Sequence, residues 1–569
     1  MAKKEFDNMQ RLGSPGARNG ANADHIKEVE KEVESALQTH GKDRVARERI
    51  QLLVDPGTFL PLGSLFDSEH NPEGTTGVIT GMAKVQGHCV CVIASNPEVC
   101  KGAWLPGQPE KILRIQEIAM ALHTPIFTLL QCSGLHLGRQ HLVYSGRRSG
   151  GRIFYNNAEL ANEMGVPSIG GLFDTNTAGG GYGAIGQTKL FAHKNANMSI
   201  AGTAILSGMS ASRNDFSVED VDTLKVTIQK ANSIPPPGGT AVHMETGFFD
   251  GMFDTEEEVI NAMRGCLICP APSAQRDWPD WPEYDVRELY DLLPHNLSRS
   301  YDIKEVLARI VDNSMACEYM ADYGPEVYCG VADISGYTVG IVANQQGSLP
   351  RGYPEYADYQ GIGGKLYRQG LIKMQRFVAR CGANKTPMVW LQDTSSIDVG
   401  DQAELAGLLG LGQALIAAIV KAKIPMATVV LRKAHAASHY VMCGPMATRN
   451  VITLGTALTN IMVMHPQSAA MALYGNKLLK AVSKEEMQTV IDDMNALMAR
   501  YRETSGPRYA AQHGIVDEVV RLVDMRAYLS WFTQAAHNSL KVRGTPPEDL
   551  WYATARHHGE KSYEASRAK

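Results

Sequence analysis

The sequence predicts an α/β fold in which strand pairs and helices repeat, and in which the second half of the chain duplicates the first. Three internal matches, in the same order in both halves, support this prediction. In the first match, residues 81–95 and 329–344 each consist of two apolar runs around a short turn, as in a β-hairpin. Gly87 and Ala94 fall on Gly336 and Ala343, in both cases 249 positions further along the chain.

The second match is a strand that follows an amphipathic helix. Thr124, Pro125, Leu129, Ser133 and Gly138 fall on Thr386, Pro387, Leu391, Ser395 and Gly400, all 262 positions later. Between hairpin and strand, each half places an apolar pattern of helical period, at Glu110–His123 and at Lys365–Cys381. This order of strands and helices is typical of an α/β domain built from ββα units.

The third match is a turn that follows a buried strand. Val166–Asp174 is a short apolar run that leads into T-A-G-G-G-Y-G at Thr177–Gly183. Gly179 and Gly180 lie 12 and 13 positions after Pro167, and Ala437 and Ser438 lie 12 and 13 after Pro425. Backbone N–H groups in such a turn, at the start of a helix, can donate to a developing oxyanion. A plain tight turn is the alternative, and the second copy of the turn favours the oxyanion interpretation.

Composition limits the classes of function. The chain has 569 residues, 44% of them hydrophobic and 20% charged, with a net charge of −5, which describes a soluble globular protein with little affinity for nucleic acid. Its first residues lack the apolar segment of a signal peptide. The longest uncharged run, Leu405–Val420, is shorter than the roughly 20 apolar residues of a membrane span, so we expect a buried helix there.

Four segments are predicted along the chain. Residues 1–45 form a tail and a charged helix whose apolar positions, such as Ile26 and Val33, make one thin stripe. Residues 46–270 and 301–569 are the two duplicated domains. Residues 271–300, rich in proline and tryptophan, are predicted to be a linker on the surface.

Other chemical patterns are weaker. His435 and His439, four apart, could share a metal, but no third ligand is evident. Cys266 and Cys269 form an isolated C-x-x-C, better explained as buried thiols. Lys373 precedes a methionine, as a biotinyl-lysine does, yet lies in a helical pattern without hairpin signals, so we reject it as an attachment site.

Paired arginines on a loop suit a carboxylate or a phosphate. Arg147 and Arg148, with Tyr144, lie in a Gly/Ser-rich stretch before the first glycine turn. A merely solvated loop is an equally good interpretation of these residues.

Several motifs together resemble the carboxyltransferase subunits of biotin-dependent enzymes, and within them the subgroup that decarboxylates glutaconyl-CoA. Ala46–Leu60 resembles the A-R-E-R-I opening of the family, and Ala178-Gly179-Gly180 and Arg432–Met442 resemble its two oxyanion turns. The subgroup resemblance rests on short motifs at Gly102–Gln108, Val143–Gly151, Asn176–Tyr182, Tyr323–Glu326, Gly361–Leu371 and Asp393–Gly400. The second turn departs from the general Gly-Gly-Ala of the family, since this chain has Ala436-Ala437-Ser438.

The resemblance implies two crotonase-like domains and a homodimer whose active site lies between the first domain of one chain and the second domain of the other. The first turn would hold the CoA thioester, the substrate, and the second would hold biotin carried on a partner subunit; no metal is implied. The implied acyl-CoA residues are Ser133, Gly134, Tyr144, Arg147, Arg148, Gly179, Gly180, Gly181 and Tyr182. The implied biotin residues are Ser395, Gly400, Ala436, Ala437, Ser438, His439 and Tyr440.

The function that the resemblance implies is transfer of the carboxyl group of glutaconyl-CoA to biotin, which gives crotonyl-CoA. A membrane partner subunit would couple this to sodium pumping, so the chain would be cytoplasmic and peripheral to the membrane. The nearest alternative is the carboxyltransferase of an acyl-CoA carboxylase, for example one that acts on propionyl-CoA. A hydratase of a single crotonase-like domain would need catalytic glutamates near the turn, and Thr175–Gly186 has none. A non-catalytic scaffold of a membrane complex would leave both turns unexplained.

Overall fold

The computed structural model describes residues 10–14, 20–38, 43–178, 183, 186–199, 221–232, 238–245, 249–267, 281–349 and 361–542. The chain divides into two compact units. One, here the first-half unit, comprises residues 39–273 and 541–569; the other, the second-half unit, comprises residues 1–38 and 274–540. Most of the segment 1–45, predicted to be a tail and a charged helix outside both domains, groups with the unit that contains the second repeat.

The chain begins with strand β1 (Gln10–Arg11) and helix α1 (Gly20–Gln38). In the first-half unit the described strands are β2 (Leu60–Leu62), β3 (Val78–Val85), β4 (His88–Ser95), β5 (Ile126–Cys132), β6 (Ser168–Thr177), β7 (Lys189–His193), β8 (Asn197–Ser199) and β9 (Gly251–Phe253). Its described helices are α2 (Arg44–Leu53), α3 (Gln108–Leu122), α4 (Gly150–Ala158), α5 (Val221–Asn232), α6 (Thr240–Glu245) and α7 (Glu256–Gly265).

The second-half unit continues with strands β10 (Met315–Glu318), β11 (Val327–Ile334), β12 (Tyr337–Asn344), β13 (Lys365–Leu366), β14 (Met388–Thr394), β15 (Ser396–Ile397), β16 (Met426–His435), β17 (Asn450–Gly455), β18 (Asn460–Met462) and β19 (Glu518–Val519). Its helices are α8 (Leu289–Leu292), α9 (Ile303–Ala308), α10 (Arg368–Ala383), α11 (Asp401–Leu405), α12 (Leu408–Ala422), α13 (Ala436–Val441), α14 (Pro466–Lys480), α15 (Lys484–Glu503), α16 (Pro507–Gln512) and α17 (Met525–Val542).

The main sheets of the two units have the same topology, which confirms the predicted duplication. In the first-half unit the described strand order is β2-β3-β4-β5-β6-β7-β9, with β8 paired to the end of β6. In the second-half unit it is β10-β11-β12-β14-β16-β17-β19, with β18 paired to the end of β16 and β1 added at the edge. In both, an antiparallel hairpin leads into parallel strands.

Local details repeat as well as the topology. Pairing of β5 with β6 shifts register between Leu130 and Cys132, and pairing of β14 with β16 shifts between Gln392 and Thr394. These two irregularities lie 262 positions apart, which is the offset of the second sequence match. The ββα units therefore share a register shift near the carboxyl ends of equivalent strands.

Each hairpin turn is held by an aspartate from the segment that precedes the sheet. The Asp55 carboxylate accepts from the N–H groups of Gln86 and Gly87, at 2.9 and 2.8 Å. The Asp312 carboxylate accepts from Ser335 and Gly336 at 2.8 and 2.7 Å.

An arginine pairs with each of these aspartates. Arg264 contacts Asp55 at 3.3 Å and donates to the carbonyl of Leu53. Arg526 contacts Asp312 at 2.7 Å and donates to the carbonyl of Ile310. The Val-Asp pair at 54–55 and 311–312 is a fourth internal match, missed in the sequence because only two residues are identical.

A buried lysine repeats on the helix of each ββα unit. Lys111 of α3 donates to the carbonyl of Val78 at 2.9 Å, and Lys373 of α10 donates to that of Val327 at 3.0 Å. The Lys373 side chain is fully buried. The enzyme that attaches biotin to lysine cannot reach a fully buried amine, which supports the rejection of Lys373 as a biotin attachment site.

Two expectations about the burial of segments need correction. The uncharged run at Leu405–Val420 does form α12, but Leu409 and Ile416 are exposed and only one face of the helix is buried. The predicted surface linker also contributes to the core, because Leu289 and Leu293 are fully buried. No helix among the described residues is long and apolar enough to cross a membrane.

Helix α1 packs onto the second-half unit through its thin apolar stripe. Ile26 is fully buried, and the Glu30 carboxylate accepts from the N–H of Leu522 at 3.0 Å and from the hydroxyl of Tyr290 at 2.7 Å. Burial raises the pKa of Glu30, and the two hydrogen bonds oppose that shift. Thus one face of a charge-dense helix is integrated with residues from the far end of the chain.

Candidate functional site

The second turn lies at the carboxyl end of β16, where Ala436 adopts a left-handed conformation with φ of 52°. This conformation is uncommon for a residue with a side chain and marks a sharp change of direction. Helix α13 begins at Ala436 directly after the strand. The N–H groups of its first turn have no acceptor inside the helix, so they are available to an oxygen ligand.

Ala437 and Ser438, the predicted donors, differ in burial. Ala437 is exposed, whereas Ser438 is fully buried. The Ser438 hydroxyl donates to the carbonyl of His435 at 2.6 Å and braces the turn. The arrangement leaves a small methyl group, and no bulky side chain, beside the N–H donors.

His439 holds α13 against β14. Its Nδ1 lies 2.8 Å from Oε1 of Gln392, whose Nε2 donates to the carbonyls of His439 and Met442 at 3.3 and 2.7 Å. Since the Gln392 amide nitrogen is used by these carbonyls, its oxygen must accept, and His439 carries its proton on Nδ1. Burial lowers the pKa of His439 to about 4, so the ring is neutral at neutral pH.

His435 is held separately from His439. Its Nε2 lies 2.8 Å from Oδ1 of Asn460, and the Asn460 amide donates to the Ser505 hydroxyl at 3.0 Å. Burial lowers the pKa of His435, also to about 4. The two histidines thus serve different partners, and within the described residues no group of three His, Cys, Asp or Glu side chains could hold a metal ion with them.

The other predicted biotin residues are Ser395, Gly400 and Tyr440. Ser395, directly after β14, donates from its N–H to the carbonyl of Gly364 at 2.8 Å. Gly400 is exposed with φ of 111°. Tyr440 is exposed on α13, next to His439. Ser395 follows the strand adjacent to β16, so it belongs to the edge that carries the second turn.

A buried charged cluster lies at this edge and was not predicted. Asp393 of β14 accepts from Nε of Arg432 at 2.7 Å, from the hydroxyl of Tyr301 at 3.0 Å and from the N–H of Lys433 at 3.2 Å. Asp393 and Arg432 are fully buried. The sequence did contain a signal, since the basic dipeptide Arg432-Lys433 stands near the end of one apolar run and Asp393 near the end of the other.

In the first-half unit the strand β6 ends as β16 does. Ala178, the residue after β6, has φ of 51° and corresponds to Ala436. The following residues Gly179, Gly180, Gly181 and Tyr182, predicted to form the first oxyanion turn, lie outside the described residues. The pairing with the short neighbouring strand is equivalent in the two units. Thr177 of β6 pairs with Ser199 of β8, and His435 of β16 pairs with Met462 of β18.

Ser133 and Gly134 lie against the end of β6. The Ser133 hydroxyl donates to the carbonyl of Cys100 at 3.3 Å. Gly134 has φ of 103°, and a Cβ at that position would come within 3.2 Å of the carbonyl oxygen of Thr177. The structure therefore brings these two predicted residues next to the start of the first turn.

Tyr144, Arg147 and Arg148 lie on an exposed loop between β5 and α4. Arg148 pairs with Glu117 of α3 at 2.7 Å. No carboxylate pairs with Arg147 within the described part of the chain. Of the two arginines, only Arg148 must therefore exchange a protein partner in order to bind a ligand.

The Cys266 thiol has a raised pKa, about 11, mainly because of burial. Such a thiol is largely protonated at neutral pH and a poor nucleophile. Cys269 lies outside the described residues, so the C-x-x-C pair stays an interpretation from sequence.

The two ten-residue strands β6 and β16, each followed by an alanine in the left-handed conformation, lie in a region matched by one family model. The model for the carboxyl transferase domain matches residues 38–547, almost the whole chain. This chain belongs to the carboxyl transferase family.

Proteins that are similar to this chain over most of its length support the family assignment. The glutaconyl-CoA decarboxylase subunit alpha of Acidaminococcus fermentans is 40% identical over 556 residues, 94% of this chain and 94% of that protein. The probable methylcrotonoyl-CoA carboxylase beta chain of Drosophila melanogaster is 29% identical, over 87% of this chain and 84% of the relative. The beta subunit of geranyl-CoA carboxylase from P. aeruginosa has the same fold, with a TM-score of 0.75, 23% identity and coverage of 93% and 97% of the two chains.

These findings establish the coarse function. The carboxyltransferase is an enzyme of the acyl-CoA carboxylase type, with two crotonase-like domains that arose by duplication. Its relatives are named as subunits of larger enzymes.

Proposed function

We propose that this carboxyltransferase moves the carboxyl group of glutaconyl-CoA to biotin and thereby releases crotonyl-CoA, as one subunit of a sodium-pumping decarboxylase. The observation that carries the proposal is the 40% identity, over 94% of both chains, to a glutaconyl-CoA decarboxylase subunit alpha. Identity to the methylcrotonoyl-CoA carboxylase chain is 29%. The preference for glutaconyl-CoA therefore rests on a closer relation over the full length.

The chemistry of the acyl-CoA side requires oxyanion donors. The carboxylate of glutaconyl-CoA is vinylogous to its thioester, so loss of CO₂ leaves a dienolate whose charge collects on the thioester oxygen. N–H groups of Gly179 and Gly180 are proposed to stabilise that oxygen, a contribution of about 2.7–4 kcal/mol per donor. Ala178, with its left-handed backbone, directs the chain into that turn.

The second turn has donors that fit the ureido oxygen of biotin. When bound, biotin supplies the nitrogen that takes up the carboxyl group. The N–H groups of Ala437 and Ser438 are proposed to bind the ureido oxygen, and the exposed methyl group of Ala437 leaves room for a flat ring. Gln392 and His439 fix α13 to the neighbouring strand and so hold these donors in place.

Biotin is proposed to arrive on a partner subunit, because Lys373, in the one Lys-Met dipeptide weighed as an attachment site, is fully buried. A membrane subunit would then use the transferred carboxyl group, which places the chain at the cytoplasmic face of a membrane through its partners. We further propose a homodimer in which the first half of one chain and the second half of the other form each active site.

One experiment separates the candidate functions. The purified chain is incubated with free biotin and glutaconyl-CoA, and crotonyl-CoA is measured by mass spectrometry; propionyl-CoA carboxylation is measured in parallel with carboxylated biotin. Glutaconyl-CoA turnover that depends on biotin supports the proposal. Turnover of propionyl-CoA alone would assign an acyl-CoA carboxylase, and the absence of both activities would leave the scaffold interpretation.

A further inference from the structure

The buried cluster at the carboxyl ends of β14 and β16 contains more positive than negative charge. Arg432 and Lys433 are its two basic groups, and Asp393 is the one carboxylate that they both contact within the described residues. Tyr301 does not add a negative charge, because burial and the nearby Asp393 raise its pKa well above the usual value. His435 faces the same cluster from β16 and is neutral at neutral pH.

The contacts of the Lys433 ammonium are long. Its Nζ lies 3.3 Å from the carbonyl of Leu297, 3.4 Å from Oε1 of Gln346 and 3.8 Å from Oδ1 of Asp393. Charge-assisted hydrogen bonds are normally about 2.7–2.9 Å long. Only 11% of this side chain is exposed, so the ammonium is mostly shielded from bulk water.

Arg432 shows the same deficit. Its Nε is bonded to Asp393, and its Nη1 donates to carbonyls of residues 294, 296 and 299. Its Nη2 is buried and has no hydrogen-bond partner in the structure. A buried charge without full compensation is costly, so the cluster favours an additional anion.

The position of the cluster connects it to the second turn. Lys433 of β16 lies three residues before Ala436, the first residue of α13. Gln346 donates to the carbonyl of Asp393 at 2.6 Å, and a Cβ on Gly364 would come within 3.2 Å of the Gln346 amide. Gly364 in turn accepts the N–H of Ser395. Contacts through Gln346 and Gly364 therefore link the Lys433 ammonium to Ser395, one of the residues predicted to surround biotin.

We infer that Lys433, supported by Arg432, binds a carboxylate at this edge of the second-half unit. The inference rests on the proposed function for the identity of the ligand, the carboxyl group that is transferred. That group has two sources with the same chemistry: the distal carboxylate of glutaconyl-CoA before transfer, or the carboxyl group after it has left the acyl chain. Lys433 takes no covalent part in either case.

Binding of an anion by Lys433 has a defined pH dependence. Burial, and to a smaller extent Arg432, lower the pKa of Lys433, while Asp393 opposes that shift. Only the protonated amine attracts a carboxylate, so affinity falls as pH rises through the lowered pKa. A bound anion stabilises the protonated form, and binding therefore takes up a proton at alkaline pH.

Formate and bicarbonate are suitable probes because their binding can be measured without any activity. Thermal midpoints of the full chain are followed against formate, bicarbonate and, as a control for ionic strength, chloride. We expect formate to raise the midpoint of the wild type and of Lys433→Arg, but not that of Lys433→Met. Lys373→Met is the matched control, since it removes another buried lysine away from this edge and should keep the formate response.

Kinetics with free biotin and glutaconyl-CoA distinguish the two sources. Lys433→Met should lower kcat/KM roughly tenfold or more, as expected for a lost charge-assisted hydrogen bond. A rise in KM with unchanged affinity for crotonyl-CoA, which lacks the carboxylate, assigns the substrate carboxylate. A fall in kcat with unchanged KM assigns the group after transfer.

The inference is overturned if Lys433→Met keeps the formate response and the kinetic constants of the wild type, because Lys433 would then only brace Leu297 and Gln346. It is also overturned if Lys373→Met loses the response equally, since the effect would be one of stability. A formate response without glutaconyl-CoA turnover would instead refute the proposed function and leave the carboxylate site standing.

Discussion

Ser438 illustrates how one residue can contribute through its backbone and its side chain separately. Its hydroxyl bonds to the carbonyl of His435, while its N–H is one of the proposed donors to biotin. Proline is tolerated in the first turn of a helix, because the N–H that it lacks has no intrahelical partner there. A proline at position 438 removes this donor together with the hydroxyl bond, so its effect has to be compared with that of a variant that loses only the hydroxyl.

Ser438→Pro is expected to abolish transfer to free biotin while crotonyl-CoA binding stays near that of the wild type. The physical reason is loss of one oxyanion donor, which costs about a hundredfold or more in rate. Ser438→Ala, which keeps the N–H, is the matched control and should retain most of the activity. The measurements are the biotin-dependent rate and a crotonyl-CoA titration, with circular dichroism to check folding.

Gly180→Pro provides the opposite case on the acyl-CoA side. Crotonyl-CoA formation should fall by about a hundredfold or more, because this turn is proposed to hold the thioester oxygen. Loss of CoA binding in Ser438→Pro, combined with normal CoA binding in Gly180→Pro, would reverse the assignment of the two turns. Unchanged rates in both variants would mean that the turns are structural.

Arg147 and Arg148 are not expected to contribute equally to substrate binding. Arg148 is paired with Glu117, and a ligand has to displace that carboxylate. Arg147→Ala should therefore raise KM for glutaconyl-CoA more than Arg148→Ala, by a factor that corresponds to roughly 1.5–3 kcal/mol for a charge-assisted bond. Steady-state kinetics of both variants test this, and unchanged KM in both would exclude the pair from the site.

At the scale of elements, the hairpin turns held by Asp55 and Asp312 are expected to matter for stability and not for catalysis. The turn at Ser335-Gly336 precedes β12, and β12 runs parallel to β14 and β16. Their carboxyl ends, where α13 and the charged cluster lie, are therefore at the other edge of the sheet. A change at Asp312 should affect folding of the second-half unit and leave the chemistry intact.

Asp312→Asn is expected to destabilise the second-half unit by roughly 1.5–3 kcal/mol, because it leaves the buried Arg526 without its charged partner. Asp55→Asn should cost less, since Arg264 lies 3.3 Å away and is 24% exposed, compared with 2.7 Å and 8% for Arg526. Hydrogen exchange at the amides of Gly336 and Gly87 measures the two effects separately. A large change in kcat/KM in either variant would contradict the proposed separation.

The sequence was a good guide to elements and a poorer guide to what surrounds them. Repeated spacing from prolines and glycines located both hairpins and the second turn, because backbone geometry depends on those residue types, and apolar periodicity located both helices. The first turn stays a prediction, since residues 179–182 lie outside the described residues. The Asp393 cluster was missed, because its members lie on separate elements and meet only when parallel strands align. Burial of Leu289 was missed for a similar reason, since proline-rich composition describes the backbone and not what packs against it.

At the scale of the whole molecule, α1 is the element whose place the sequence did not indicate. Its apolar stripe was recognised, but a stripe does not specify its partner. The structure places it with residues 274–540, through Ile26 and the bonds of Glu30 to Tyr290 and Leu522. The N-terminal segment is thus part of the second-half unit.

Ile26→Asp should therefore destabilise the second-half unit and not the first-half unit, although residue 26 is closer in sequence to the latter. Burying an unpaired carboxylate is costly, so we expect α1 to detach. Faster hydrogen exchange at Leu522, with unchanged exchange in β4, is the expected result. Lys31→Asp, on the exposed face of α1, is the matched control; equal effects of both variants would argue against specific packing.

The contact between Glu30 and Leu522 also has a consequence for synthesis of the chain on the ribosome. The two residues are 492 positions apart. At roughly 5–20 residues per second, the ribosome needs about 25–100 s to make the partner after α1 has left the exit tunnel. The nearer partner, Tyr290, lies 260 positions after Glu30. Until that segment has emerged, Ile26 and Val33 are without the surface that it provides, and the dense charge on the other faces of the helix keeps the nascent segment hydrated. A chain terminated before residue 290 would carry this stripe permanently uncovered, so such incomplete translation products should be marked for capture by chaperones at their N-terminal end.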